Sequence, residues 1–431
     1  MERSTSQLRN LATPQLVAAV IFIVTLSLHL LYLHYSNSDF FFPDSITYLA
    51  PARNLSAGLG FVDEDLAPDT LRTPGYPLFL VPFVMITNSA LPIVVVQHLL
   101  AALLAAAVFL VALRWSGSRV AATCAALLFA IDTPVIHYAN KVLSETLFAV
   151  VFFATFLAVL RVRGIRGAVL TGLATGALVL IRPVAILWFV VVAIYFFVSE
   201  RRRLIAAFAV SALLLPIAWG TRNLMRTSVF TISSIAGTNM LFYRAAGALA
   251  ITDDYDFPDA LKDRQAEVID PVDELVFANE HVDDREELPH AVQARYFSKV
   301  GRQILLQHPK GAFLLTLHGI EMNLLDSDWE AMMMVSTLAP TIIRLSIDTL
   351  THIEFLLAIA GIFAMWRRDR TLALFVGLTL IYFVVISAGG ESESRFRVPV
   401  VPQYAILAGA GIERLWKQSQ RLKASMMTSS P

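Results

Sequence analysis

Charge is what this 431-residue chain has little of: only 16% of its residues are Asp, Glu, Lys or Arg, against roughly a quarter in a soluble domain. That shortage excludes an ordinary water-soluble globule. Cysteine is nearly absent too. Cys124 stands alone in an apolar run, which excludes an internal disulfide and a cysteine-ligated metal site and leaves a small core residue. The nine histidines are scattered without metal-ligand spacing, and there is no zinc motif, P-loop or Rossmann fingerprint. No nucleotide, haem, flavin or nucleic-acid partner is therefore expected. Internal repeats and low-complexity segments are also missing, and the lack of inverted-repeat hydropathy weighs against a transporter fold.

What is present is apolar length. Hydrophobic residues make up 56% of the chain and the mean hydropathy is +0.63. Crossing a roughly 30 Å hydrocarbon core takes about 20 apolar residues. Runs near that length lie at about 15–35, 90–113, 118–137, 144–161, 204–220, 342–366, 371–388 and 398–415. Arg3 and Arg9 precede the first run, and no small-residue cleavage site closes it, so it is expected to remain a span. The stretch 167–198 holds Arg182-Pro183 at its middle, and reads either as one kinked helix or as two short spans. Arg161, Arg163 and Arg166 precede it and Arg201, Arg202 and Arg203 follow it. Both clusters belong in the cytoplasm by the positive-inside rule, so an even number of crossings must separate them. Two short spans satisfy this, for a total of about ten.

With that parity the remaining basic groups also fall inside: Arg3/Arg9, Arg114/Arg119, Arg367/Arg368/Arg370 and Arg414/Lys417/Arg421/Lys423. Both termini are then cytoplasmic, and most Asp and Glu face the other side. The expected organisation is an N-terminal membrane region, 1–221, with seven spans and a first outer loop over 36–89. An outer segment, 222–341, and a C-terminal region of three spans, 342–431, follow. The first outer loop is expected to hold a helix from about Asp44 to Ala57. The apolar run 78–87 is too short to span and reads as interfacial or re-entrant. The outer segment reads as a small lobe with little core of its own. Its acidic stretch, Asp253 to Glu287, reads either as part of an acceptor site or, by preference, as a mobile hydrated loop.

The ionisable residues at outer span ends are the candidates for chemistry. Asp44 opens the first outer helix, where it can cap free N–H groups or act as a general base with Tyr48 one turn on; the two roles are compatible. Glu145 precedes an apolar helix and must face a polar cavity or a partner, for which Lys141 at i−4 is the local choice. Asp132, before Thr133-Pro134, reads as a turn residue. Arg72, Lys141, Arg182, Arg222, Arg395 and Arg397 lie on the same side. Singly each reads as an interfacial snorkelling side chain. Together with Asp44 and Glu145 they suggest a phosphate held beside a carboxylate, a task for which the arginine fork is suited.

Four blocks, in order, resemble the GT-C glycosyltransferases, in particular the family of protein O-mannosyltransferases and lipid A aminoarabinose transferases. They are Phe42-Pro43-Asp44-Ser45-Ile46-Thr47-Tyr48-Leu49, Arg72-Thr73-Pro74-Gly75-Tyr76-Pro77, Leu143-Ser144-Glu145-Thr146-Leu147, and Trp219-Gly220-Thr221-Arg222-Asn223 with Arg395-Phe396-Arg397-Val398-Pro399. The resemblance implies an all-α polytopic fold of GT-C type in a bacterial inner membrane, with its active site on the periplasmic face. It implies an inverting transfer of a monosaccharide from a polyprenyl-phosphate donor to a hydroxyl of a lipid, glycan or protein. By carry-over Asp44 is the catalytic carboxylate, Glu145 the second acid, and Arg72 a donor-phosphate ligand. Arg395, Arg397, Arg182 and Lys141 join Arg72 as expected phosphate ligands, and Tyr48, Tyr76 and Arg222 are expected to meet substrate. Some relatives hold a divalent metal such as Mg or Mn, for which Asp44 and Glu145 are the candidate ligands. A flippase of lipid-linked sugars and a polysaccharide polymerase or ligase are the rival functions.

Overall fold

The structure is a computed structural model that describes residues 13–36, 39–253, 256–282, 284–333 and 339–428. Arg3 and Arg9 lie outside the described residues. Among those described there is no β-strand, only an isolated bridge between Val62 and Pro68.

The helices that matter are α1 (Pro14–Tyr35), α2 (Ser45–Ser56), α3 (Gly75–Ile86), α4 (Leu91–Ser116), α5 (Arg119–Ile131), α6 (Thr133–Ala139), α7 (Glu145–Leu160) and α8 (Ile165–Ile181). They continue with α9 (Trp188–Val198), α10 (Ile205–Thr227), α11 (Phe257–Glu267), α12 (Asp270–Glu280), α13 (His290–Gln307), α14 (Pro309–Leu325), α15 (Pro340–Arg368), α16 (Arg370–Ile386) and α17 (Val401–Thr428). Every stretch read as a span is helical. Among the described residues four helices are long and apolar enough to cross a membrane unaided, and α5 with α6, bent by 49° at Asp132, makes a fifth if the pair is one span. The 17 residues of α8 cover only about 25 Å at ~1.5 Å each. The count of ten therefore rests on parity rather than on helix length.

That parity is met in space. Pro183 disfavours the helical region for Arg182, and Arg182 takes φ −142° and ψ 120°. The chain then turns back, since Arg201 Nη1, just past α9, donates to the carbonyl of Leu160 at the end of α7 (3.4 Å). The stretch 165–201 leaves one end of the bundle and returns to it. Trp115 and Phe156 pack with ring centroids 6.4 Å apart, and Arg368 Nη1 donates to Ser116 O at 3.1 Å. The basic loops therefore share one end. Gly117, at φ +71°, ends α4 in the left-handed region before Ser118 caps α5.

The protein is a multi-pass membrane protein. Leu16, Val20, Ile23, Val24 and Leu31 of α1 are each more than half exposed. Such a face is a liability in water and is the ordinary boundary with hydrocarbon. Within the bundle, Phe148, Phe152, Phe156, Trp188 and Phe375 are completely buried and form much of one of its two apolar cores.

The outer segment departs from expectation. Most of 253–287 is folded as α11 and α12 rather than as a hydrated loop. Val268, Val272 and Val276 recur every four residues and bury against Tyr296, Phe297 and Val300 of α13, so the lobe has a small core of its own. Residues 254–255 and 283 lie outside the described part.

Candidate active site

At the end of the bundle opposite the basic loops, α2 begins at Ser45 with Asp44 in the N-cap position. The Asp44 side chain caps nothing. Ser45 Oγ instead accepts from Phe42 N (2.8 Å), and Thr47 Oγ1 donates to the Asp44 carbonyl (2.7 Å). The carboxylate is thereby left for other partners. Arg72 Nη2 donates to its Oδ1 at 2.7 Å and Arg395 Nη1 to its Oδ2 at 3.1 Å. One third of the Asp44 side chain is still exposed. Burial alone would push its carboxyl up, but the two guanidinium groups overcome this and hold it below the usual carboxylate range.

Each arginine is fixed by more than the acid. Arg72 Nε donates to Thr47 Oγ1 (2.7 Å), and its guanidinium stands 4.4 Å from the centre of the Tyr48 ring. Arg395 sits between Phe42 and Phe396, at 5.0 and 4.9 Å from their centroids. Its Nε is buried without a hydrogen-bond partner and faces Glu393 Oε2 at 3.6 Å. Tyr48 OH contacts Ser144 Oγ (3.3 Å), which also accepts from Arg182 Nη1 (3.2 Å). Arg182 in turn forms an ion pair with Glu145, whose Oε2 has no hydrogen-bond partner among the described residues. The Arg182-Pro183 break is what delivers this guanidinium to the start of α7. The structure thus gathers Asp44, Arg72, Tyr48, Arg395, Arg182 and Glu145 into one network.

Other candidates are placed elsewhere. Lys141 pairs with Asp39 (2.8 Å) rather than with Glu145. Arg397 is spent on the carbonyls of Asn323, Leu324 and Asp326 at the end of α14, with Asp132 3.9 Å away. Asp132 caps α6 through Val135 N (3.0 Å), the turn role its spacing suggested. Tyr76 is wholly buried, donates to Gln97 Oε1 (2.7 Å) and packs edge-on to Tyr48, forming a wall behind the network. Arg222 donates to the carbonyls of Asp69 (2.7 Å) and Phe61 (2.6 Å), bracing the loop that carries Arg72. Lys141, Arg397, Arg222 and Tyr76 thus each have protein partners outside the Asp44 cluster.

A divalent ion does not fit this arrangement. Asp44 and Glu145 each already have guanidinium partners, and a dication would add positive charge where it is plentiful. Among the described residues no group of three or more His, Cys, Asp or Glu is arranged to hold a metal.

Some participants were not singled out from the sequence. Ser144 and Thr47 lie inside recognised blocks, and Phe42 and Phe396 adjoin the site residues, so proximity along the chain could have suggested them. Glu391 lies in the outer loop, rich in both signs of charge, that carries Arg395, whereas Arg244 has no such signal. The two face each other at 3.8 Å, while Arg244 Nη2 donates to Ile386 O (2.6 Å) and ties the outer lobe to the end of α16.

Asp69 is a further surprise. Its Oδ1 accepts from Leu71 N (2.6 Å) and Arg72 N (3.3 Å), which sets the backbone from which Arg72 projects. Burial pushes its carboxyl from 3.8 up to about 6. A carboxyl protonated more readily when folded stabilises the fold at low pH, and that contribution is lost as pH rises from about 4 to about 6. The two-unit shift amounts to about 3 kcal/mol at most. Asp69→Asn keeps an acceptor oxygen without the buried charge. It should melt higher than wild type near about pH 7.5, with the gap closing near about pH 4. Thermal melts at the two pH values check this, and an offset independent of pH would refute it.

No protein-family model matches the sequence, and no curated protein matches it either. Among solved structures, ArnT from Cupriavidus metallidurans bound to undecaprenyl phosphate is similar over 92% of this chain and 78% of its own, at 14% identity and a TM-score of 0.40. The archaeal oligosaccharyltransferase AglB from Archaeoglobus fulgidus, in complex with an inhibitory peptide and a dolichol-phosphate, is similar over 97% of this chain and 52% of its own, at 11% identity and a TM-score of 0.42.

Proposed function

We propose that this chain is an inverting membrane glycosyltransferase that moves one sugar from a polyprenyl-phosphate carrier to an acceptor hydroxyl. The observation that carries the proposal is the partly exposed Asp44 carboxylate between Arg72 and Arg395 at one end of the bundle. A polyprenyl tail must stay in hydrocarbon, so its phosphate is confined to the level where the spans end. An anion arriving there meets two guanidinium groups whose present counter-ion is Asp44. By drawing Arg395 toward itself, the donor phosphate removes one of the two charges that weaken Asp44 as a base. Donor binding then prepares the carboxylate for its task.

In the transfer step the acceptor oxygen attacks the anomeric carbon while the bond from that carbon to the phosphate oxygen breaks. Asp44 takes the acceptor's proton, and the departing polyprenyl phosphate carries away the bonding pair. Arg72 and Arg395 offset the charge that grows on the phosphate. The Arg182–Glu145 pair positions Ser144, and through it the Tyr48 ring beneath Arg72. We place the site on the outer, periplasmic face because the basic loops lie at the opposite end.

The test is a transfer assay in lipid nanodiscs with radiolabelled polyprenyl-phosphate monosaccharides and a panel of hydroxyl acceptors. The expected result is label on an acceptor with stoichiometric release of polyprenyl phosphate. Movement of donor between leaflets of vesicles, with no sugar transferred, would overturn the proposal in favour of a flippase. In active protein, Arg395→Gln should raise the donor KM by about 10- to 100-fold, the range of one lost charge-assisted hydrogen bond. Arg72→Ala should weaken donor use in the same sense. A donor dependence unchanged by either substitution would count against the phosphate role.

A further inference from the structure

At the opposite end of the bundle lies a cavity of about 460 Å³ among the ends of α4 and α15, the start of α16 and the middle of α17. Its origin is a tight crossing. A Cβ on Gly361 would stand 1.8 Å from the Leu407 carbonyl oxygen, and one on Gly411 would stand 2.1 Å from that of Leu357. The two glycines let α15 and α17 touch backbone to backbone. Beyond that crossing the small Ala364 and Ala410 are among the residues that line the gap between the two helices.

The lining has two characters. Trp115, Met365, Leu372 and Ile406 supply an apolar floor, and Arg367, Arg368, Arg414, Lys417 and Arg421 supply cations. Both carboxylates there are already engaged. Asp369 caps α16 through Leu372 N (2.9 Å), and Glu413 binds Lys417 Nζ at 2.6 Å with Arg368 at 3.9 Å. Arg368 and Arg414 each also donate to a backbone carbonyl. Arg367 and Arg421 are exposed and have no hydrogen-bond or ion-pair partner among the described residues. Trp366, near the end of α15, and Trp416, within α17, are 45% and 65% exposed, and aromatic side chains at a span boundary mark the headgroup level.

We infer that this cavity binds the phosphate headgroup of an anionic membrane lipid, with the first acyl carbons on the apolar floor. Positive-inside loops explain cations spread over a surface, but not two unpaired arginines at the rim of an apolar-floored cavity between spans. Its volume falls in the range of small-ligand sites. A free phosphate would use the cations and leave the floor unused.

Native mass spectrometry of the purified full chain, titrated with phosphatidylglycerol and with phosphatidylcholine, tests this without reference to catalysis. Phosphatidylglycerol should bind at one preferred site. Arg367→Gln with Arg421→Gln should weaken that binding about 30-fold, at roughly fivefold for each cation near a lipid surface. Arg119→Gln with Arg202→Gln removes the same charge from exposed positions at the same end, outside the cavity, and should leave the preference intact. The inference is overturned if wild type does not prefer phosphatidylglycerol, or if the two double variants lose the preference equally. Inorganic phosphate that displaces the lipid at comparable concentration would assign the cavity to a free anion and would overturn the lipid assignment.

Discussion

Asp44→Asn should yield a folded, membrane-embedded protein whose sugar transfer has fallen by about 10² to 10⁴, the usual contribution of a positioned general base. The geometry makes this a clean substitution. The asparagine oxygen still accepts from Arg72 Nη2, Arg72 keeps Thr47 and Tyr48, and Arg395 keeps its place between two rings. The loss should fall on kcat, because the base acts only as the acceptor oxygen attacks. Donor affinity should hold or rise, since the phosphate no longer competes with a carboxylate for two arginines. A purely structural Asp44 would show the reverse, with a lower melting temperature, altered donor KM and near-normal kcat. That pattern would sink the assignment. The acid limb of the wild-type profile offers a further check. Ion pairing holds Asp44 below the ordinary 3.8, so its protonation should not limit donor-free enzyme until the medium is more acidic than that.

The largest stability effect is expected at Arg182. Its partner Glu145 has a side chain only 2% exposed, and the arginine is itself largely buried. Arg182→Ala leaves a carboxylate in a nearly closed site with one oxygen already lacking a hydrogen bond. Breaking a buried pair in this way costs about 3–5 kcal/mol, because the remaining charge is uncompensated. A second variant, Arg182→Gln with Glu145→Gln, removes both charges and should recover most of the loss. Melting temperature and the yield of monodisperse protein in detergent report the difference. If the single and double variants are equally unstable, the charge is not the cause. Transfer should stay impaired in the double variant, since Ser144 and Tyr48 lose the group that sets them under Arg72.

The helical stretches were legible in sequence because apolar length is a local property. The Arg182-Pro183 break is an instance. Proline disfavours the helical region for the residue before it, and charge parity called for the return that Arg201 and Leu160 realise. The valines of α12 were equally local, and their four-residue spacing marked a buried face that the surrounding acidic residues obscured. Asp44, Arg72, Arg182, Arg395 and Glu145 could be nominated from residue type and position near span ends.

Pairing could not be read that way. Lys141 stood one turn before Glu145, yet it turned to Asp39, while Glu145 received an arginine from 37 residues further along the chain. Arg395 and Arg397 are two residues apart, yet one faces Asp44 and the other holds the carbonyls at the end of α14. A charged side chain at a span end must find a partner, because lipid offers none. Residue type and hydropathy place that need at a given depth. Only helix packing decides which partner is within reach, and it left Asp44 between two arginines with part of its carboxylate open.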